Sequence, residues 1–198
     1  MIKLITQSIR QTLVWTVITG LLYPLAITVI AQLAFHDKAN GSLIERDGKL
    51  VGSELMAQQF TDPKHFWSRP SANSYGTGPS GITGSSGSNH GPTSAQLQTD
   101  VRNNAKSLRE AHKLPADALV PADMVYASGS GLDPHISPEA ARFQIARVAA
   151  ARGMSEDQIK ALTEKFIEPP QWGFLGEARV NVLLLNLALD AADTKKSG

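Results

Sequence analysis

The chain contains no cysteine. That excludes disulfide staples, a thiol nucleophile and thiolate metal sites, and it suits a cytosolic or an exported bacterial domain equally. Neither sign of charge is in excess. Nineteen Lys and Arg face eighteen Asp and Glu, a formal +1, so nothing favours nucleic acid or an acidic substrate. No G-x-S-x-G spacing supplies a nucleophile elbow. The one Gly-Lys pair, Gly48-Lys49, lacks the upstream glycine of a phosphate-binding loop. The five histidines (His36, His65, His90, His112 and His135) are not paired at metal-ligand spacing. There is no internal repeat, and only one long apolar run.

That run is Leu13 to Phe35, 23 residues without a charge. As a helix it is about 34 Å long, enough for a hydrocarbon core of roughly 30 Å. A cleaved signal peptide would carry a shorter apolar core and a small-x-small cleavage site, which "AQLAFHD" does not offer. A buried soluble helix would keep a polar face. The reading is a retained transmembrane helix. Lys3 and Arg10 precede it with no acid among them, whereas Asp37, Glu45 and Asp47 offset Lys38, Arg46 and Lys49 after it. The positive-inside rule then puts residues 1–12 in the cytosol, 13–35 in the membrane and 36–198 outside the cytoplasm. Within the span, Thr16, Gly20 and Pro24 are four apart and share one face. Small residues there favour the close approach of another membrane helix, although such residues are also common in membrane helices generally.

The remainder reads as one mixed α+β domain. Asp47-Gly48 between Leu43-Ile44 and Leu50-Val51 predicts a two-residue hairpin. Glu54 to Phe60 suggests a short helix ended by Asp62-Pro63. Ser68 to Ser94 draws 22 of its 27 residues from Gly, Ser, Pro, Thr and Asn. Its composition resembles a linker, but it opens on an aromatic-basic cluster and runs into a helix start. Thr93 to Gln96 has capping-box spacing, with Thr93 as the cap, and an amphipathic helix is expected over 94–112. Met124 to Ala127 suggests a strand. Ser137-Pro138-Glu139 starts a helix that Gly153 closes after Arg152. Ser155 and Gln158 form a second capping box, with Met154 and Ile159 at staple positions. A strand near Ala178 to Val180 and a closing helix complete the reading.

Three groups of residues are candidates for function. Phe66, Trp67 and Arg69 are either an interface anchor or a core tryptophan beside a surface arginine. Asp133 and His135 would share a site with His90 if the fold joins their loops; surface histidines are the simpler account. Gly87, Ser88, Asn89 and Gly91 precede a helix N-terminus and could cradle an anion or phosphate, or could only serve tight turns.

Several long motifs occur in order: "GSLIERDGKLVGSELMAQQF", "FWSRPSA", "GSNHGPTS", "ASGSGLDPHISPEAARFQIARVAAARG" and "LGEARVNVLLLNLALD". With the single N-terminal span they resemble the C subunit of the bacterial Kdp potassium-transporting P-type ATPase over almost the whole chain. Small departures are His90, Ser94 and Ala178, where that family often has Leu, Asn and Pro. The resemblance implies a non-catalytic accessory subunit of a high-affinity potassium uptake complex in the inner membrane. Its partners would be a potassium-translocating A subunit, a catalytic B subunit and a small F subunit. No cofactor would bind this chain directly; ATP and potassium would act at the level of the complex. The family's effect on the ATP affinity of the B subunit would have to be indirect if residues 36–198 lie outside the cytoplasm. A membrane-anchored periplasmic enzyme or binding protein is the alternative. The missing nucleophile, metal and paired-acid signatures favour the accessory subunit, and leave open whether Asp133 and His135 face the domain's own core or a partner.

Overall fold

A computed structural model describes residues 1–46, 48–72 and 84–194. They form two compact units, Met1–Leu43 and Ile44–Gly198.

The first unit is dominated by one helical rod, Ile2–Ala34, of mean hydropathy 2.0 in its most apolar window, long and apolar enough to cross a membrane. It comprises α1 (Ile2–Val17), a π turn (Ile18–Leu22) and α2 (Tyr23–Ala34), and none of their side chains is buried within the chain. The helix therefore starts well before the uncharged run, because nothing in residues 2–12 breaks it. The backbone leaves the helical region at Phe35, and a single turn, α3 (His36–Ala39), follows. The Asn40 amide closes this end by bonding Gln32 Oε1 at 3.1 Å and the His36 carbonyl at 2.7 Å.

The second unit is mixed α and β. Strands β1 (Leu43–Arg46) and β2 (Lys49–Ser53) pair as a hairpin. Gly48 takes φ +71°, the left-handed geometry that a two-residue turn requires; Asp47 lies outside the described residues. A second sheet has the order β3-β5-β4, with β3 at His135–Ile136, β4 at Ile167–Glu168 and β5 at Arg179–Asn181. Both pairings are antiparallel, and Val180 of the central strand faces Ile136 on one side and Ile167 on the other.

The described residues of this unit form four α-helices, α4 (Ala95–Ala111), α5 (Pro138–Arg152), α6 (Glu156–Lys165) and α7 (Val182–Thr194); α5 and α7 pack on the central strand, and α6 packs on α5 and α7. The α5–α6 corner follows from local chemistry. Ser137 Oγ accepts from the Ala140 N–H at 3.0 Å, and Pro138 costs nothing at a first helical position. Gly153 closes α5 at φ +60°, and Met154 N–H returns to the Ala149 carbonyl at 3.1 Å, a Schellman closure. Ser155 and Gln158 then make both bonds of a capping box. Phe66, Val148, Ile159, Val180, Leu185 and Leu189 are fully buried at the centre, drawn from every layer.

Three expectations are corrected. Residues 54–60 are not a helix. Ser53 Oγ takes the Leu55 N–H, and Ala57 N–H pairs with the Leu132 carbonyl at 2.9 Å, so tertiary bonds hold the segment open. Residues 124–127 are not a strand; a 3-10 turn spans Ala122–Met124, and the neighbouring Met124 and Val125 are both buried, which alternation forbids. The cap of α4 is Ser94, one residue after Thr93, and its Oγ accepts from the Leu97 N–H. Strands β3 and β4, two residues each, had no legible signal.

Candidate functional site

The segment Asp62–Ala72 is the centre of the polar architecture. Asp62 turns it: Oδ1 accepts from the Lys64 N–H at 2.8 Å and the carbonyl from the His65 N–H at 3.0 Å. Two buried amides then hold consecutive residues by their backbones. Asn186 of α7 accepts from the Phe66 N–H at 2.7 Å and donates to the Phe66 carbonyl at 2.9 Å. Gln144 of α5 does the same for Trp67, at 2.7 and 3.2 Å. A peptide clamped in this way behaves like a strand between two side chains that mimic backbone. Each net bond is worth about 1 kcal/mol, but an orphaned buried group costs roughly 1–3 kcal/mol.

Arg147 of α5 fastens the same segment. It donates to the Pro63 carbonyl at 2.6 Å, the His65 carbonyl at 3.0 Å, Gln144 Oε1 at 2.7 Å and His112 Nε2 at 3.3 Å. Its guanidinium carbon lies 4.1 Å from the centre of the Trp67 ring. All these partners are neutral. Burial pulls the arginine down to about 10, so it keeps its charge at neutral pH. Burial, then the adjacent Arg147, pull His112 down to about 4, so the imidazole is neutral and free to accept. At the end of α5, Arg152 donates to the Lys64 carbonyl at 2.6 Å, Asp190 at 2.7 Å and Asp193 at 2.5 Å. His65 Nε2 lies 3.1 Å from Asp190. Burial opposes ionisation of Asp190, but the bonds from Arg152 and His65 outweigh it and hold the carboxyl below its usual range.

The structure brings Arg69, Asp133 and His135 together and separates them from Phe66. Arg69 Nη1 meets Asp133 Oδ2 at 2.9 Å, with both side chains about a quarter to a third exposed (25% and 31%). Asp133 Oδ1 accepts from the His135 N–H at 3.0 Å, and His135 Nδ1 is 3.5 Å away. Burial acts to raise Asp133, but the bonds from His135 and Arg69 prevail and lower it. Phe66 is fully buried in the core and Trp67 lies under Arg147, so Arg69, Asp133 and His135 carry the surface of this cluster. His90 is exposed on the loop before α4. Among the described residues, no three His, Asp or Glu converge to hold a metal.

The glycine-rich loop before α4 packs on the loop before β3. A Cβ at Gly87 would lie 2.7 Å from the Gly129 carbonyl oxygen, so only glycine permits the approach. Ser85 Oγ donates to the Ser130 carbonyl at 2.9 Å, and the Ser94 N–H goes to the Gly91 carbonyl at 3.0 Å. Asn89 sits at φ +54°. Ser88 lines a cleft of about 360 Å³ beside α4 whose lining includes Asp100, Asn103 and Asn104 and no basic side chain. Of Gly87, Ser88, Asn89 and Gly91, only Ser88 lines it. In the first unit, Thr16 and Gly20 are adjacent: a Cβ at Gly20 would stand 4.0 Å from Thr16 Cγ2. Pro24 opens α2.

Gln144, Arg147 and Asn186 were missed as a set. The one legible hint was a polar residue interrupting an apolar helix face, as Asn186 does in "VLLLNLALD".

These features define a class: among the described residues, one apolar helix followed by a small α+β domain in which buried Gln144, Arg147 and Asn186 hold a loop. The particular family follows from comparison with known proteins. Residues 5–191 match the family model described as KdpC, K+-transporting ATPase, c chain. The chain is 52% identical over 195 residues to the potassium-transporting ATPase KdpC subunit of Methylococcus capsulatus, covering 96% of this chain and 99% of the relative. It is 49% identical to that of Dechloromonas aromatica, over 95% and 97% of the two chains, and 54% identical to that of Polaromonas naphthalenivorans, over 90% and 89%. The chain belongs to the KdpC family, a subunit of the potassium-transporting ATPase rather than its catalytic enzyme.

Proposed function

We propose that this chain is the accessory subunit that completes a high-affinity, ATP-driven potassium uptake complex of the inner membrane. In this reading the helix Ile2–Ala34 crosses the bilayer with its N-terminus in the cytosol, and residues 36–198 form a periplasmic domain. The observation that carries it is a family match running through both units, joined to an apolar helix with no side chain buried within its own chain. Such a helix needs lipid or a partner around it. Lys3 and Arg10, without a neighbouring acid, set its direction.

The partners in this reading are the potassium-translocating A subunit, the catalytic B subunit and the small F subunit. The helix docks through Thr16, Gly20 and Pro24. The domain engages the A subunit through the Arg69–Asp133–His135 cluster, whose side chains are about a quarter to a third exposed. ATP and potassium act at the level of the complex. Any effect on the ATP affinity of the catalytic subunit is transmitted through assembly, because ATP is hydrolysed in the cytosol and the domain lies on the other side.

The test is recovery of the complex through an affinity tag on the full chain, in mild detergent, with potassium uptake measured in parallel. Gly20→Leu and Thr16→Leu are expected to lower recovery of the other subunits. Normal recovery in both variants would remove that face, and a chain that always elutes alone would remove the subunit reading. Saturable ATP binding by the isolated chain would overturn the indirect route.

A further inference from the structure

The helix Ile2–Ala34 contains one turn of i→i−5 bonding, Ile18–Leu22, that ends two residues before Pro24. Tyr23 N–H donates to the Ile18 carbonyl, five residues back. Pro24 has no N–H to give. The Thr19 carbonyl is therefore left out, because the amide four residues on is committed to Ile18 and the residue five on is the proline, which also deprives Gly20 of its four-on donor. The hydroxyls that often fill such a gap are turned elsewhere. Thr19 Oγ1 donates to the Trp15 carbonyl at 2.7 Å, and Thr28 Oγ1 to the Pro24 carbonyl at 2.8 Å.

The neighbouring residue keeps the backbone open. Gly20 has no side chain, and a Cβ there would touch only Thr16 Cγ2, at 4.0 Å. An α-helix drifts around its axis with each four-residue step, because a turn takes about 3.6 residues. The wider π turn takes more residues and keeps Thr16, Gly20 and Pro24 closer to one line. The same turn thus straightens a low-profile stripe and leaves an acceptor beside it.

We infer that this acceptor receives a hydrogen bond from a hydroxyl, amide or indole side chain on a membrane helix of another subunit, which approaches over Gly20. The inference rests on the reading of this chain as a membrane-spanning accessory subunit. Its occupant follows from complementarity. Hydrocarbon cannot satisfy a backbone carbonyl, and an apolar partner face would leave it unpaired. A second copy of this chain does not fit: a parallel two-fold pair sets residue 19 opposite residue 19, acceptor against acceptor.

The experiment uses the full chain in bilayers, alone and assembled with the co-expressed subunits of the potassium-transporting ATPase. Carbonyl-13C threonine with 15N glycine reports on the three Thr-Gly bonds in the sequence; loss of one signal in Gly20→Ala assigns Thr19. On assembly the Thr19 carbonyl is expected to move to higher frequency. Pro24→Ala restores an N–H, and is expected to cut recovery of the other subunits roughly 3- to 20-fold, the span of interhelical hydrogen bonds in membranes. An unchanged Thr19 frequency on assembly overturns the inference. So does a shift that appears in the chain alone as its density in the bilayer rises, which would mean self-association. If Gly20→Leu lowers recovery while Pro24→Ala and the Thr19 frequency do not respond, the inference fails and the subunit reading stands. If the unaltered chain recovers no other subunit, the subunit reading itself fails.

Discussion

Replacing Asn186 with leucine tests whether the amide clamp fixes the segment around Phe66. Asn186 is buried on α7, and among the described residues its side chain bonds the Phe66 backbone alone, at 2.7 and 2.9 Å. Leucine is close in size and fills the space, so a cavity does not dominate the outcome. What remains is one buried N–H and one buried carbonyl without partners. At roughly 1–3 kcal/mol each, less the relief of no longer burying an amide, the net loss is about 2–4 kcal/mol. For a unit of this size 1 kcal/mol moves the midpoint by about 2–4 °C, so the melting temperature is expected to fall by roughly 5–12 °C. Thermal unfolding of the full chain in detergent, followed by near-ultraviolet circular dichroism, reads this directly. Asn186→Asp keeps the acceptor for the Phe66 N–H but loses the donor and buries a carboxyl, and is expected to be no milder. A midpoint within about 2 °C of the parent for Asn186→Leu would refute the reasoning, because it would mean that Phe66 finds other partners at no cost.

Three further outcomes follow. His112 has its folded pKa lowered to about 4 from 6.5, so the unfolded chain binds the proton more tightly. Stability is complete above pH 6.5 and is lost as pH falls toward 4. Discounted for a half-buried ring, the loss is about 1–2 kcal/mol, and His112→Gln should flatten that part of a urea-midpoint against pH profile. Gly87→Ala forces a methyl toward the Gly129 carbonyl at 2.7 Å; parting the two loops should cost about 1–3 kcal/mol in the same melt. Ser155→Ala removes the capping box of α6 and is expected to cost about 1 kcal/mol, read as a melting shift of a few degrees.

The legible parts of the fold were those decided by neighbours in sequence. Ser137-Pro138-Glu139, Gly153 and the Ser155–Gln158 box act within one helical turn, so their residue types specify them wherever the chain goes. The hairpin at Gly48 is equally local. Strands β3 and β4 exist only because β5 lies between them, and two residues carry no periodicity. Residues 54–60 have a helical composition, but bonds to Leu132 and Val51 outweigh it. The cluster of Arg69, Asp133 and His135 was legible by residue type and not by partnership, since 64 positions separate Arg69 from Asp133. Gln144, Arg147 and Asn186 were hidden for the same reason: each acts on backbone that sequence proximity does not reveal.

The amide clamp also sets an order of events. Phe66 leaves the ribosome long before Asn186, 120 positions later. At about 5–20 residues per second that gap is roughly 6–24 s, during which the Phe66 backbone has no clamp from α7 and its ring no closed core. Among the described helices α7 comes latest in the chain and holds a loop 120 positions earlier, so that loop cannot close before residue 186 is made. A stalled or truncated chain ending before residue 186 would present the loop and its aromatics unsecured.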